Sequence, residues 1–421
     1  MSKHTGVVRA WTYIAVAMGL GLPGIILRVS GERLSPEIDA LIFGMGIFGA
    51  AFLLSWAVEV AQLHISGSLA IAILALVAIL PEYAIEAVLA WGAGGAWHAG
   101  ANPADIPEVA RVAANVTGSN RLIIGIGWSM VILLFWFKHR KKLVLDRGIS
   151  PELAMLTVAT LVNFLLFFMQ EVALYVAGLL IVIYLFYLWV SSKEESEEPE
   201  LMGPAATIGN FSHTPQLLAI FLLFAYSAIV IFAAAEPFVE GLVRTGGKFG
   251  IPEFTLIQWL APLASESPEL VIAGLFSLRG RPDTAMTTLV SSSVNQLTLL
   301  IGSMPFIFSL SFGHLSAFPL DHQQSVEFLL TASMSLFAIG LIARLRIAWY
   351  GALVLLGLFV AHLFRTDSDT RLIFAFLFLG LVALVFITDR GRILEMYHRV
   401  MSVPKIVRGV KEDASVVLPS G

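Results

Sequence analysis

The segments LPEYAIE (residues 80–86) and SESPELVIAG (265–274) each place a Pro-Glu pair well inside a long apolar stretch. A carboxylate near the middle of a membrane is unfavourable, by roughly 2.5–3.5 kcal/mol for an aspartate on insertion scales. A proline at the same depth removes a helical hydrogen bond and frees backbone carbonyl groups. The pairs Pro81-Glu82 and Pro268-Glu269 occupy matching places in the two halves of the chain. This pattern predicts an ion site in a transporter built from two repeats.

The composition is that of a membrane protein with many spans. Of the 421 residues, 57% are hydrophobic and only 13% are charged, whereas soluble domains usually carry about 25% charged residues. The apolar residues form runs of about 20, the length that a helix needs to cross a bilayer. The first run resembles a signal peptide, but it lacks a convincing cleavage site, so we interpret it as a retained helix. The absence of cysteine excludes disulfides, thiolate metal sites and thiol catalysis.

The apolar runs predict about twelve transmembrane helices in an all-α polytopic fold. The predicted spans lie near 11–28, 38–62, 68–91, 109–137, 150–169, 171–190, 215–243, 252–278, 284–311, 325–343, 346–363 and 371–388. Only Gln170 and Glu171 separate the fifth span from the sixth, so this break is the weakest in the series.

The distribution of basic residues in the loops predicts the orientation. With twelve spans, both termini lie on one side, and that side carries 18 Lys and Arg residues. The opposite side carries seven, among which we count Arg371, and Arg121 lies inside a span. The positive-inside rule then predicts cytoplasmic termini in a multi-pass protein of the cell (plasma or inner) membrane.

The two Pro-Glu spans belong to an inverted repeat. They are the third and eighth spans, and an odd offset of five means that they enter the membrane from opposite sides. The helix after each motif also matches, with Asn-Arg-Leu-Ile-Ile-Gly at 120–125 and Asn-Gln-Leu-Thr-Leu-Leu at 295–300. Five helices per half therefore correspond, and the first and twelfth helices are additions at the two ends.

At these residues the sequence resembles the cation/calcium exchanger superfamily, which includes the sodium/calcium exchangers. LPEYAIE (80–86) with NVTGSN (115–120) resembles the first alpha repeat of that family, and SESPELVIAG (265–274) with SSSVNQ (291–296) resembles the second. The resemblance implies two inverted repeats and exchange of cations at paired acidic residues. The sequence departs from the family pattern at Ile123, Val294 and Thr298. The resemblance implies an Asn or Asp at the first and third of these positions and a serine at the second.

The same pattern divides the chain into five parts. We predict an extra helix and loop in 1–37, the first exchanger repeat in 38–190 and an acidic cytoplasmic linker in 191–214. The second repeat follows in 215–363, and 364–421 holds the other extra helix and a basic cytoplasmic tail.

Calcium and sodium ions prefer oxygen ligands, and the predicted site supplies carboxylates, amides and hydroxyls. Glu82 and Glu269 are the expected metal ligands on facing helices. Glu86 lies one helical turn after Glu82, and Glu266 one turn before Glu269, so both can add a carboxylate. The remaining predicted cation-binding residues are uncharged and lie on the following helices: Asn115, Ser119, Asn120, Ser292, Asn295 and Thr298. The prolines also free the carbonyl groups of Val77 and Ala264.

Small polar residues also join membrane helices, which is the alternative role of these amides and hydroxyls. Glu59 and Glu240 sit near helix ends, where a carboxylate is ordinary, so we expect at most a vestibule role for them.

Arg121 is the one basic residue near the middle of a predicted span. We expect it to pair with Glu82 or Glu86, because an unpaired guanidinium at that depth is very unfavourable. Its role is then either structural or charge-tuning, as a counter-cation that occupies part of the site when the substrate leaves.

The sequence therefore predicts a secondary active cation antiporter rather than an enzyme. Motifs for phosphate binding, for HExxH metalloproteases and for GxSxG hydrolases are absent, and no cofactor is expected beyond the transported Ca²⁺, Na⁺ or H⁺. The expected partners are the lipid bilayer and small inorganic cations, not nucleic acid. Calcium exchange against sodium or protons by alternating access is the leading interpretation. Sodium/proton exchange, a passive cation channel and an intramembrane hydrolase are the alternatives.

Overall fold

The computed structural model describes residues 3–64, 79–192, 201–363 and 365–407. These residues form fourteen α-helices and four short strands. The first repeat and the helix before it comprise α1 (Lys3–Ser30), α2 (Pro36–Ala61), α3 (Leu80–Ala96), α4 (Pro107–His139), α5 (Ser150–Met169) and α6 (Leu174–Ser191). After α7 (Pro204–Gly209), the second repeat comprises α8 (His213–Phe249), α9 (Glu253–Leu278), α10 (Pro282–Phe312), α11 (His322–Ile342) and α12 (Trp349–His362). Two helices, α13 (Ser368–Thr388) and α14 (Gly391–Val407), follow.

The helices confirm the fold class predicted from the sequence. Within the described ranges, nine helices are long and apolar enough to cross a membrane, and α3, α9 and α12 complete the twelve. Two further helices were not predicted, namely α7 in the linker and α14 in the basic tail. Four sequence-based predictions lie wholly or partly outside the described residues: the start of the third span, the Val77 carbonyl, most of the acidic run at 191–200, and the end of the basic tail at 408–421.

Two antiparallel strand pairs establish that the repeats are inverted. The strands are β1 (Leu143–Val144), β2 (Glu171–Val172), β3 (Phe318–Pro319) and β4 (Arg346–Ile347), with β1 paired to β4 and β2 to β3. Helix α5 runs from β1 to β2, whereas its counterpart α11 runs from β3 to β4. Because the pairs hold β1 beside β4 and β2 beside β3, the two helices must run in opposite directions.

Each strand is entered through a residue in the left-handed backbone region. Arg140, Gln170, Gly313 and Leu345 have φ values of 53°, 53°, 83° and 56°. Arg140, Gln170 and Gly313 directly follow a helix, where a left-handed residue ends the helix and turns the chain. Leu345 lies three residues after the end of α11 and turns the chain into β4. The weak break at Gln170-Glu171 is therefore a real one, because α5 ends at Met169 and β2 follows.

The helices that carry the predicted site pack more extensively across the repeats than within them. Helix α4 packs against α9, and α3 packs against α10, which is the symmetry-related arrangement. Helices α5 and α11 pack against each other, as do α2 and α8. One hydrophobic core runs through both repeats and includes Ile47, Ile124, Leu289, Phe308 and Leu330. The predicted site thus lies at the interface of the repeats.

Candidate cation-binding site

Four glutamates lie together on the two Pro-Glu helices. Glu82 and Glu86 are on α3, while Glu266 and Glu269 are on α9. Glu82 and Glu266 are each 3% exposed, Glu86 is fully buried, and Glu269 is half-buried. Proline starts the helix beside Glu82 and stands inside the helix beside Glu269, so the same sequence motif has two local geometries.

The closest approach is between Glu82 and Glu266. Their carboxyl groups lie within hydrogen-bonding reach of each other across the repeat interface, and the charges of Glu86 and Glu269 also act on Glu82. The sequence predicts Glu82 and Glu269 as the metal ligands on facing helices, which stays a prediction, and in this conformation Glu266, one turn before Glu269, is the carboxylate in contact with Glu82. Two carboxyl groups this close repel each other unless one carries a proton.

Amide side chains from the following helices hold three of these carboxylates. Asn115 Nδ2 donates to Glu86 Oε2 at 2.9 Å, and Asn295 Nδ2 donates to Glu82 Oε2 at 3.4 Å. Gln296 Nε2 donates to Glu266 Oε1 at 3.0 Å, and the Ser292 side chain also hydrogen-bonds to Glu266. The amides of α10 therefore engage one carboxylate from each repeat.

Both amide-bearing helices contain a short π-helical stretch at matching places. It spans Ile123–Trp128 in α4 and Gln296–Leu300 in α10, directly after the Asn-containing motif of each repeat. Such π-bulges occur frequently at functional sites, because they leave part of the regular backbone hydrogen bonding unmade.

Three of the predicted cation-binding residues do not point at the carboxylates. Asn120 accepts a hydrogen bond from Ser335 on α11, at 3.0 Å. The Thr298 hydroxyl donates to carbonyl groups of its own helix, including that of Asn295 at 3.4 Å. The Ser119 hydroxyl is fully buried and has no hydrogen-bond partner among the described residues. Whether these residues bind a cation stays a prediction.

Carboxylate, amide and hydroxyl oxygens are the ligand types that a hard cation requires. In the part of the chain that the structure describes, however, no group of three or more His, Asp or Glu side chains is arranged to hold a metal ion. A bound divalent cation would therefore draw the carboxylates closer together, or would take further oxygens from amides, the backbone and water.

Comparison with known proteins identifies the family. A family model described as sodium/calcium exchanger protein matches residues 38–193 and 219–366, which together make up well over half of the chain. The chain belongs to this exchanger family. The family consists of transporters, so this exchanger is a membrane antiporter of small cations and not an enzyme.

Solved structures show the same fold. The H⁺/Ca²⁺ exchanger CAX is 35% identical, with a TM-score of 0.87 over 95% of this chain and 100% of CAX. YfkE is 15% identical, with a TM-score of 0.57 over 84% of this chain and 98% of YfkE. The sodium-calcium exchanger NCX_Mj is 14% identical, with a TM-score of 0.50 over 80% of this chain and 98% of NCX_Mj. The last two comparisons concern the fold alone. A search of curated protein sequences gave no significant match.

Arg121 of this exchanger does not pair with Glu82 or Glu86, so that prediction is wrong. Its Nη2 lies 2.5 Å from Glu327 Oε2 on α11, and Arg371 Nε of α13 lies 3.3 Å from Glu327 Oε1. Gln258 on α9 donates to Glu327 and accepts from Arg371, at 3.3 and 2.9 Å. All four side chains are fully buried. The side chain of Arg121 therefore leaves the carboxylate cluster and enters a separate network.

The sequence analysis missed the other members of this network. Arg371 was counted as a loop residue, but it lies in the first turn of α13 with no exposed surface. Glu327 gave a signal that could have been used, because it is the only charged residue in the predicted span 325–343. Gln258, an amide within the predicted span 252–278, gave a weaker one. Glu327 in particular is an intramembrane acid, and such residues mark functional or paired positions.

A cleft of about 790 Å³ leads toward the site between α3, α4, α8 and α10. Its lining includes Tyr83 and Trp91 along α3, and four charged residues, Glu108, Arg111, Glu236 and Glu240. The Trp91 carbonyl accepts a hydrogen bond from Ser311 near the end of α10, at 2.6 Å. The Trp91 end of the cleft therefore lies toward the end of the exchanger that carries the β2–β3 pair.

Proposed function

We propose that this chain exchanges Ca²⁺ against H⁺, with Glu82 and Glu266 as the residues at which the two ions compete. The supporting observation is the contact between their carboxyl groups, which lie within hydrogen-bonding reach at the repeat interface. Burial disfavours two neighbouring negative charges, so the pair holds a proton in the cation-free state. The 35% identical relative is itself an H⁺/Ca²⁺ exchanger.

The coupling follows from charge balance. A divalent cation that enters between Glu82 and Glu266 needs both carboxylates charged, so the shared proton must leave. Glu269 and Glu86 lie close enough to act electrostatically on Glu82 and can add negative charge toward the cation. When the cation leaves, a proton returns to the pair. Binding of one ion therefore requires release of the other, which is the condition for antiport.

The proposed orientation puts both termini on the cytoplasmic side of the cell membrane, with the repeats at 38–190 and 215–363. The β1–β4 pair supports this assignment, since it joins the two loops before α5 and α12 at one end of the bundle. Both loops fall on the side that carries more Lys and Arg. The Trp91 end of the cleft then lies on the opposite, outer side.

Flux measurements in proteoliposomes test the proposed exchange. Vesicles that contain a calcium indicator are given, in turn, a pH gradient and a Na⁺ gradient with the membrane potential clamped. We expect Ca²⁺ movement driven by the pH gradient and no comparable response to Na⁺. Glu82→Gln and Glu266→Gln should each abolish it, whereas Glu240→Gln, which alters the cleft, should retain most of it.

Two results would contradict the proposal. Ca²⁺ flux that follows the Na⁺ gradient and ignores pH would replace H⁺ with Na⁺ as the coupling ion. Proton movement that requires Na⁺ but not Ca²⁺ would make the protein a sodium/proton exchanger.

A further inference from the structure

The cleft and the carboxylate cluster are adjacent but separate. Tyr83 is among the residues that line the cleft, whereas its neighbour Glu82 is not. Glu266 is also absent from the lining and is 3% exposed. Because Tyr83 is next to Glu82 in sequence, the boundary between the cleft and the site runs along this one turn of α3.

A chain of two hydrogen bonds crosses that boundary. The Tyr83 hydroxyl donates to Asn295 Oδ1 at 2.9 Å, and Asn295 Nδ2 donates to Glu82 Oε2 at 3.4 Å. Tyr83 belongs to the first repeat and Asn295 to the second, so the contact also bridges α3 and α10. Both polar atoms of the Asn295 amide are thereby engaged.

We propose that Tyr83 is a positioning residue that controls access from the cleft to the carboxylates and withholds the Asn295 oxygen from the cation. The proposal rests on the proposed function of the Glu82 and Glu266 pair. While Tyr83 holds Oδ1, the Asn295 amide presents its NH₂ group, and not its oxygen, to Glu82.

Release of this bond changes the site in two ways. The ring of Tyr83 is free to turn away from α10, which opens a path from the cleft to Glu82. The Asn295 amide can then turn its carbonyl oxygen toward an incoming cation, and an oxygen is the atom type that Ca²⁺ binds. Entry and the supply of a ligand are therefore linked through one side chain.

Cysteine accessibility tests the proposal without reference to transport, since the chain contains no cysteine. Ser292→Cys places a reporter beside Glu266, at a half-buried position outside the cleft lining, and Ala87→Cys places one in the cleft lining. Each is combined with Tyr83→Phe, which keeps the ring and removes the hydroxyl. The protein is embedded in nanodiscs, so that a membrane-impermeant thiol reagent reaches both faces, and labelling rates are measured.

We expect Tyr83→Phe to raise the labelling rate at Ser292→Cys about fivefold, the effect of losing one neutral hydrogen bond of about 1 kcal/mol. The rate at Ala87→Cys should not change. Tyr184→Phe is a matched control, because Tyr184 is a buried tyrosine close enough to feel the charge of Glu82 but is not part of the cleft lining. It should leave both rates unchanged.

An unchanged rate at Ser292→Cys in Tyr83→Phe, or an equal rise in Tyr184→Phe, would overturn the proposal. If Tyr83→Phe cannot be purified as a folded protein, Asn295→Ala breaks the same bond from its other end and should give the same rise. The labelling rate does not depend on which ions are exchanged. If the Ca²⁺/H⁺ assignment fails, the labelling experiment therefore still tests the role of Tyr83.

Discussion

Replacement of Glu327 by glutamine should be among the most destabilising single charge changes in the protein. Glu327 is the one acid in a fully buried network that also contains Arg121 and Arg371, at 2.5 and 3.3 Å. Its neutralisation leaves the Arg121 guanidinium without a counter-charge inside the membrane and removes the direct partner of Arg371. Removing one partner of a buried ion pair typically costs about 3–5 kcal/mol.

The network predicts that neutralising its acid destabilises the protein more than neutralising one of its arginines. Arg121→Gln leaves Glu327 paired with Arg371, so the remaining charges balance. The lost contacts of Arg121 to Glu327 and to Thr117 then account for the whole cost, which we expect to be about 1–3 kcal/mol. The acid should therefore matter more to stability than either arginine.

Thermal unfolding of the purified protein, followed by tryptophan fluorescence, measures this order. The melting temperature should fall slightly for Arg121→Gln and much further for Glu327→Gln. Glu236→Gln is the matched control, because Glu236 makes a 2.7 Å pair with Arg28 in which both side chains are about half exposed. Exposed pairs contribute about 0–1 kcal/mol, so this melting temperature should stay near that of the wild type. A Glu327→Gln protein as stable as Arg121→Gln would refute the argument.

The remaining predictions concern transport and packing. Glu82→Gln should abolish exchange with an unchanged melting temperature, while Glu240→Gln should reduce it only slightly; wild-type flux in the first variant would remove Glu82 from the site. Arg121→Gln should leave Ca²⁺ affinity within about twofold of wild type at two pH values, because Glu327 already compensates its charge in the separate buried network; a large gain in affinity would support the charge-tuning role. Gly118→Ala should prevent close packing of α4 on α9, since its Cβ would overlap a main-chain carbonyl of α9, whereas Gly178→Ala has open space and should be tolerated. Expression and monodispersity of the two alanine variants decide this last point.

The sequence was sufficient for the fold because the decisive signals are local. A Pro-Glu pair within an apolar run marks a special helix wherever the rest of the chain lies, and two such runs at an odd helix offset require inversion. The break between α5 and α6 was harder to place. The break depends on a left-handed backbone conformation at Gln170. A glycine at this position would have predicted that conformation, but a glutamine does not.

The site could be predicted less completely, because side-chain partners depend on packing. Glu266 rather than Glu269 contacts Glu82, and the choice rests on how α3 crosses α9, which no sequence period reveals. Arg121 and Glu327 are far apart in sequence and meet only because α4 lies against α11. An intramembrane arginine requires an acid nearby, but the sequence offers several acids at similar depth and does not rank them.

The two strand pairs also constrain how the protein is made. Each pair joins one segment from the first half of the chain to one from the second, as Leu143 to Ile347 and Val172 to Phe318. During synthesis, the strands of the first repeat have no partner until the loops around α11 emerge. The first half therefore enters the membrane with β1 and β2 unpaired. The two strand pairs form late, after the second half has been made. Co-expressed halves, divided in the linker, should still meet and complete this step.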